Sequence, residues 1–235
     1  MSLLIRGGAL CASSVLARRD GEIAVIDTGL THHAASLVAA LRREGLTPQD
    51  ITLVFNTHAH VDHSHNNSLF PGARIYCSRL DRAWTRALHA SLVAVDNPGA
   101  EHVQPFYPAR SSSEYEAKVM RKFLALDKLL WDESRWREDD RTFWLEETEL
   151  PAGISLIRTP GHAPHHVSFA VETEGRPVLV CGDAVIHRDD LEAPAPRMPL
   201  WDASAWYASL DRIRAFDGII VPGHDEPFDN VPVRK

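Results

Sequence analysis

The chain has 235 residues, of which 44% are hydrophobic and 24% charged, a composition that excludes a disordered or fibrous protein and suits one sizeable domain. The 25 Lys and Arg residues against 32 Asp and Glu residues give a net charge of −7, so the whole chain does not attract nucleic acid or an anionic membrane. The unusual number is 13 histidines, and histidine is both a general base and the commonest metal ligand.

The cysteines and the apolar runs indicate the compartment. Cys11, Cys77 and Cys181 lie far apart and form no CxxC pair, which is typical of reduced thiols. No apolar run approaches the roughly 18 residues that a membrane span needs, and the first residues have too little apolar length for a signal peptide. We therefore expect a cytoplasmic protein without a membrane partner.

After a β-rich start, strands and helices alternate. Ala24–Asp27 is a short apolar run and predicts a buried strand, while residues 31–44 carry apolar residues at helical spacing. Ile51–Phe55 and Ala73–Ser78 predict two more strands.

The pattern becomes helical from about residue 79 to residue 140. Leu80, Trp84, Leu88 and Leu92 recur every four residues and predict a helix that ends before Asn97-Pro98-Gly99, and a second helical pattern covers 115–130. We interpret 79–140 as a helical insertion in a single domain of residues 1–235, and expect its histidines to lie on the surface.

Strand patterns return after the insertion. They cover Thr142–Leu145, Ile154–Arg158, Val167–Val171, Val178–Cys181 and Gly218–Val221. An amphipathic helix is predicted over Asp202–Phe216. This order favours a layered, mixed α/β fold.

The strongest motif is THAHVDH (57–63), which places four metal-capable side chains in six positions. In an extended segment His58 and His60 project to the same side, because side chains repeat every second residue. Asp62 and His63 begin the turn into the next helix and can face the same cavity from another direction. One loop thereby offers ligands to two adjacent metal ions, whereas a helix cap would need only one such residue.

Three later strand patterns also end in a metal-capable residue that follows a glycine: His162, Asp183 and His224. In α/β sheets, ligand sites gather beyond the carboxyl ends of strands. Together with the motif at 57–63 they make seven ligands, enough for two zinc-like ions with one shared carboxylate.

Five segments resemble the metallo-β-lactamase fold superfamily: VIDTGL (25–30), THAHVDH (57–63), TPGHAPHH (159–166), CGDAV (181–185) and VPGHDEP (221–227). The resemblance spans the chain except for the insertion. It implies an α/β fold, a four-layer αββα sandwich with the site at one edge of its two sheets.

The resemblance also implies two divalent metal ions. It assigns His58, His60 and His162 to the first, Asp62, His63 and His224 to the second, and the bridging position to Asp183. We expect Zn²⁺, with iron or manganese as alternatives, because His/Asp sites accept all three. The implied catalysis uses a metal-bridging hydroxide, with Asp62 and Asp183 as catalytic carboxylates.

Four further residues are candidates for supporting the ligands or contacting substrate: Asp27, His65, His166 and His187. Asp27 resembles the family's supporting acid, and His65 stands where a glycine is common. Ile186 occupies the position at which lactonases of this fold carry a tyrosine, so His187 is considered as an oxyanion donor in its place.

The predicted function is hydrolysis of a small ester, lactone or thioester, in the branch that includes glyoxalase II, lactonases and phosphodiesterases. Asp183 argues against a true β-lactamase, which usually lacks the bridging carboxylate. A phosphodiesterase or ribonuclease is the alternative, for which basic residues of the insertion such as Arg79 and Arg82 could form a patch. A non-catalytic metal-binding sensor ranks below both.

The insertion carries aromatic residues, among them Trp84, Tyr107 and Trp131, which require burial. A lid over an apolar pocket, a homodimer contact and simple packing onto the core all fit the sequence.

Overall fold

The computed structural model describes residues 1–8, 11–96, 100–108, 125, 128–132, 140–193, 195–196, 198 and 200–232. Within these ranges the chain forms two sheets and several α-helices, of which we number those with described bounds in chain order. The helices are α1 (Ala34–Arg43), α2 (Val61–Ser64), α3 (Arg79–Val93), α4 (Ala100–Val103) and α5 (Ala203–Arg214).

The first sheet has six strands that follow each other in chain order. They are β1 (Ser2–Ile5), β2 (Ser14–Arg19), β3 (Glu22–Ile26), β4 (Leu53–Phe55), β5 (Arg74–Cys77) and β6 (Thr142–Trp144). The pairs β1/β2 and β2/β3 are antiparallel, and β3 to β6 run parallel to one another. The carboxyl ends of β3 and β4 therefore lie side by side.

The second sheet has five strands in the order β11-β10-β9-β8-β7. They are β7 (Ile154–Arg158), β8 (Val167–Val171), β9 (Val178–Gly182), β10 (Gly218–Pro222) and β11 (Phe228–Asn230). Only β9 and β10 are parallel neighbours, so residues that follow these two strands emerge at the same edge.

The two sheets pack face to face, and each is covered by a helix on its outer face. Phe55 stands between the sheets, 4.8 Å from the ring of Tyr76 and 5.2 Å from that of Phe169. Leu37 and Leu41 of α1 pack on the first sheet, whereas Trp206 of α5 packs on the second. The predicted αββα sandwich is confirmed.

Residues 79–140 connect β5 to β6, which are parallel neighbours in the first sheet. α3 begins where predicted, because the Ser78 side chain accepts a hydrogen bond from the Asp81 backbone N–H at 3.0 Å and caps its first turn. Most of the second predicted helix, 115–130, lies outside the described residues. The expectation of a surface position is wrong for His89, which is buried and stacks on Trp131 at 4.0 Å.

Among the described residues, no helix combines the length and the apolar character that crossing a bilayer requires.

Candidate metal centre

The seven predicted ligands converge at one edge of the sandwich. His58 and His60 follow β4, and Asp62 and His63 lie in α2. The other three follow strands of the second sheet: His162 after β7, Asp183 after β9 and His224 after β10. The loop after β4 is tied to the second sheet, since the Val167 N–H donates to the Thr57 carbonyl at 3.0 Å.

The first donor group consists of His58, His60, His162 and Asp183. His60 Nδ1 lies 2.9 Å from His58 Nε2 and 3.0 Å from His162 Nε2. One oxygen of Asp183, Oδ2, is 3.6 Å from His162 Nε2. The second donor group consists of Asp62, His63 and His224, in which Asp62 Oδ2 is 3.3 Å from His224 Nε2 and 3.8 Å from His63 Nε2.

Asp183 stands between the two groups. Its Oδ2 faces the first group, while its Oδ1 lies 3.1 Å from His63 Nε2 and 3.3 Å from His224 Nε2 in the second. The carboxylate approaches β10 so closely that a side chain at position 223 would collide with Oδ1, which explains Gly223. One carboxylate thus presents one oxygen to each group.

The donors fit divalent metal ions by spacing and by chemistry. Four donors about 2.0–2.1 Å from a tetrahedral zinc ion stand about 3.3 Å apart, close to the separations observed here. His63 Nε2 and Asp183 Oδ1 are buried and lie 3.1 Å apart, but neither makes a well-aligned hydrogen bond to any group, an arrangement that a metal ion bound to both atoms would satisfy. Imidazole nitrogens and carboxylate oxygens are ligands that zinc, iron and manganese accept.

Burial and charge divide the histidines into two classes. Burial lowers the pKa of His60 to about 4 and that of His162 to about 3, and places the pKa of His58 well below its ordinary value. Burial acts in the same direction on His63, but the carboxylates of Asp183, Asp62 and Asp27 outweigh it and raise the pKa of His63 to about 10. The first group therefore offers neutral nitrogens, whereas a divalent ion at the second must displace protons.

Asp27 supports both the motif loop and a donor histidine. It is buried at the end of β3 with a φ of 55°, which turns its side chain under the loop. Its carboxylate accepts the Thr57 N–H at 2.8 Å and the Thr57 hydroxyl at 2.7 Å. It also lies 2.8 Å from His63 Nδ1, so that His63 directs Nε2 into the second group.

The other three candidates take different positions. His166 is buried and accepts the Asp183 N–H at Nε2, 3.1 Å away, so it supports the backbone of Asp183. His65 is also buried, and its Nε2 accepts the backbone N–H of Asp132 in the insertion at 3.3 Å. His187 is exposed and starts the short turn after Asp183, where its N–H donates to Asp190. It is not a member of either donor group.

Two residues that are not among the predicted site residues contact the motif loop. Asp81 of α3 is buried and accepts the Ala59 N–H at 2.6 Å. Tyr107, which follows α4, has its hydroxyl 2.9 Å from His60 Nε2. The Ser-x-x-Asp pattern at 78–81 indicates a helix start, but nothing local to either residue points to the loop.

Two of the basic residues considered for a patch on the insertion are engaged in other contacts. Arg79 pairs with Glu147 at 2.8 Å, and the buried Arg82 lies over the ring of Trp144 at 5.6 Å. The other basic residues from 110 to 122 lie outside the described residues.

Known proteins share this fold and sequence pattern. The chain is 44% identical over 224 residues to human metallo-beta-lactamase domain-containing protein 1, covering 94% of this chain and 64% of the relative. It is 24% identical over 194 residues to an N-acyl homoserine lactonase of a Bacillus species, covering 80% of this chain and 62% of the lactonase. The chain thus spans under two thirds of the length of these curated relatives.

Solved structures agree in fold. AidC, a dizinc quorum-quenching lactonase in complex with a product, superposes with a TM-score of 0.56 at 18% identity, covering 91% of this chain and 72% of that one. The hydrolase AbOPH of the beta lactamase superfamily reaches a TM-score of 0.61 at 19% identity, with 95% and 80% covered. The family model of the metallo-beta-lactamase superfamily matches residues 7–224. The chain therefore belongs to the metallo-beta-lactamase superfamily.

Proposed function

We propose that this chain is a metal-dependent hydrolase that holds two divalent ions and cleaves a small ester, lactone or thioester. The observation that carries the proposal is the position of Asp183, whose two carboxylate oxygens face two separate groups of donors. A single metal would need only one of these groups. The seven residues named as ligands from the sequence are the proposed ligands.

Zn²⁺ is the metal that we propose for both positions. The donors are histidine nitrogens and carboxylate oxygens within 4.8 Å of one another in each group, which suits Zn²⁺, an ion that takes four ligands and can expand to five when a further group binds. Two such ions would activate water at neutral pH and polarise the attacked carbonyl.

The chain's own carboxylates then have distinct tasks. Asp183 is nearly inaccessible, with a side chain 7% exposed, and holds the two donor groups at a constant separation. The Asp62 side chain is 22% exposed, and it is the carboxylate that a bound substrate could reach. We assign to Asp62 the task of orienting the attacking water and passing its proton to the leaving group.

The substrate class is supported by an aromatic wall beside His60, formed by two side chains of the insertion. Trp84 and Phe106 of the insertion are half-buried, and the ring of Trp84 lies 6.1 Å from that of His60. Such a wall suits an acyl chain or another apolar group next to the cleaved bond. Relatives described as N-acyl homoserine lactonases support a lactone within this class.

A substrate panel tests the proposal. Protein loaded with Zn²⁺, Mn²⁺ or Fe²⁺ is offered an acyl homoserine lactone, an aliphatic thioester, a p-nitrophenyl ester, a β-lactam and bis-p-nitrophenyl phosphate. We expect turnover of at least one of the first three, and its loss in the presence of a chelator.

Asp183→Asn is the matched variant, since it keeps the shape of the side chain and removes the charge shared by both groups. We expect it to lower kcat/KM by at least 100-fold, with circular dichroism showing a retained fold. Turnover of the phosphodiester alone would contradict the substrate class. Full activity in the metal-free protein or in Asp183→Asn would contradict the two-metal site.

A further inference from the structure

Tyr107 places the insertion in contact with a proposed metal ligand. Its side chain is 5% exposed and packs in a cluster with Leu88, Leu92 and Val103, all from the insertion. Its N–H donates to the Val103 carbonyl at 2.9 Å, and its ring meets Trp84 edge to face at 5.4 Å. Residues of the insertion therefore pack around the ring that carries this hydroxyl.

The two ring nitrogens of His60 face different partners. Nδ1 is turned to the centre of the first donor group, 2.9 Å from His58 Nε2 and 3.0 Å from His162 Nε2. Nε2 is turned away from that group and lies 2.9 Å from the Tyr107 oxygen. A metal ion held by the first donor group would take the lone pair of Nδ1, which would leave the proton on Nε2.

We propose that Tyr107 is a positioning residue for the first metal site. Its oxygen accepts the Nε2–H bond of His60, which holds the ring in the tautomer and orientation that aim the Nδ1 lone pair at the metal. The inference rests on the metal centre of the proposed function and is independent of its substrate. Hydrogen-bond partners of this kind typically change metal affinity by about 10–100-fold.

A second contact joins the insertion to the same loop. The Asp132 N–H donates to Nε2 of His65, two residues after the donor His63, and Trp131 stacks on His89 of α3 at 4.0 Å. The insertion thus contacts the loop 57–65 on both sides of α2. Because linkage is reciprocal, metal bound at the first site stabilises the docked insertion by the same factor by which docking improves metal affinity.

Co²⁺ binding to two half-site backgrounds tests the role of Tyr107. In a His224→Ala background the first donor group is retained, and in a His162→Ala background the second is retained. We expect Tyr107→Phe to weaken Co²⁺ binding by about 10–100-fold in the first background and by less than about threefold in the second. The readout is competition with a chelator, followed by the absorption bands of bound Co²⁺.

Tyr76→Phe is the control, since Tyr76 is a buried tyrosine between the sheets and loses the same hydroxyl. We expect Tyr76→Phe to leave the affinity for Co²⁺ unchanged in both backgrounds. Denaturant unfolding of the metal-free variants verifies that each folds. Equal weakening in both backgrounds, or none in the first, would overturn the positioning role. A wild-type protein that binds no Co²⁺ would instead contradict the proposed metal centre itself, so the two failures are distinguishable.

Discussion

At the scale of single residues, most histidines of the two donor groups are oriented through the ring nitrogen that faces away from the other donors. Nδ1 of His224 donates to the Gly8 carbonyl at 2.7 Å, and Nδ1 of His63 donates to Asp27 at 2.8 Å. Nδ1 of His58 lies 3.2 Å from the Thr57 hydroxyl. These partners set which nitrogen carries the proton and leave the other lone pair for a metal.

Asp81 is a buried carboxylate of a different kind, placed under the motif loop rather than in it. One oxygen accepts the Ala59 N–H, and the other is buried without a hydrogen-bond partner. Burial raises the pKa of Asp81 from 3.8 to about 7, against the effect of the Ala59 hydrogen bond. The folded state therefore binds a proton that the unfolded state releases between these two values.

This uptake predicts the pH dependence of stability. Because the pKa of Asp81 is higher in the folded state than in the unfolded state, its contribution to the free energy of unfolding is greatest below pH 4. This contribution is lost as pH rises through about 7, and the loss is about 4 kcal/mol at most. Asp81→Asn has no carboxyl group to ionise at this position, so it does not lose this contribution as pH rises. The free energy of unfolding of the variant should therefore rise relative to that of wild type between pH 5 and pH 8. Urea unfolding of the metal-free proteins measures the difference.

Asp96→Asn controls for the removal of a carboxylate, because Asp96 is exposed. A difference between Asp81→Asn and wild type that stays constant from pH 5 to pH 8 would contradict the raised pKa.

At the scale of elements, α5 supports two of the ligand-bearing loops. Its capping residue, Asp202, accepts the Ala205 N–H at 2.9 Å and donates its own N–H to the Gly161 carbonyl at 3.1 Å. The indole N–H of Trp206 donates to the Ala184 carbonyl at 3.0 Å. The helix thereby holds the residues next to His162 and Asp183.

Trp206→Phe is expected to lower the free energy of unfolding by about 2–4 kcal/mol, because it leaves a buried carbonyl unpaired and a cavity under the second sheet. We also expect weaker metal binding, since the carbonyl belongs to the residue after Asp183. Urea unfolding and Co²⁺ titration measure the two effects.

Trp144→Phe, in the half-buried strand β6 at the far edge of the first sheet, is the comparison for loss of an indole. If Trp206→Phe lowered stability but left metal affinity equal to that of Trp144→Phe, α5 would have no role in holding the site.

At the scale of the whole molecule, the proposed metal centre lies between the two sheets. Its proposed ligands come from loops of both sheets, so ions bound there would act as a cross-link that only the folded chain can form. Removal of metal should therefore lower the stability of the entire sandwich.

We expect Zn²⁺ at 100 times its dissociation constant to raise the free energy of unfolding by about 2.7 kcal/mol per site relative to chelator-treated protein. Urea unfolding with and without Zn²⁺ measures the gain. Asp183→Asn should show a much smaller gain in the free energy of unfolding. An equal gain in this variant would mean that the stabilising ion binds elsewhere.

Much of this protein follows from short stretches of sequence. The seven proposed ligands were chosen from strand ends and from one seven-residue motif, and the folded chain brings all seven together. Strand periodicity and spacing within a motif are local properties, so they are readable without the fold. The αββα layers followed from the resemblance carried by the same motifs.

Tertiary structure brings the supporting residues to the proposed ligands from distant parts of the chain. Tyr107 reaches His60 across 47 positions of the chain, and Asp27 reaches His63 across 36. The supporting role of Asp27 was predicted because Asp27 belongs to a motif. That of Tyr107 was not, because Tyr107 lies in an insertion whose docking depends on packing among its own aromatic residues. His89, expected at the surface, is buried for the same reason. Local pattern determines which residues can bind a metal, and long-range packing determines what holds them in place.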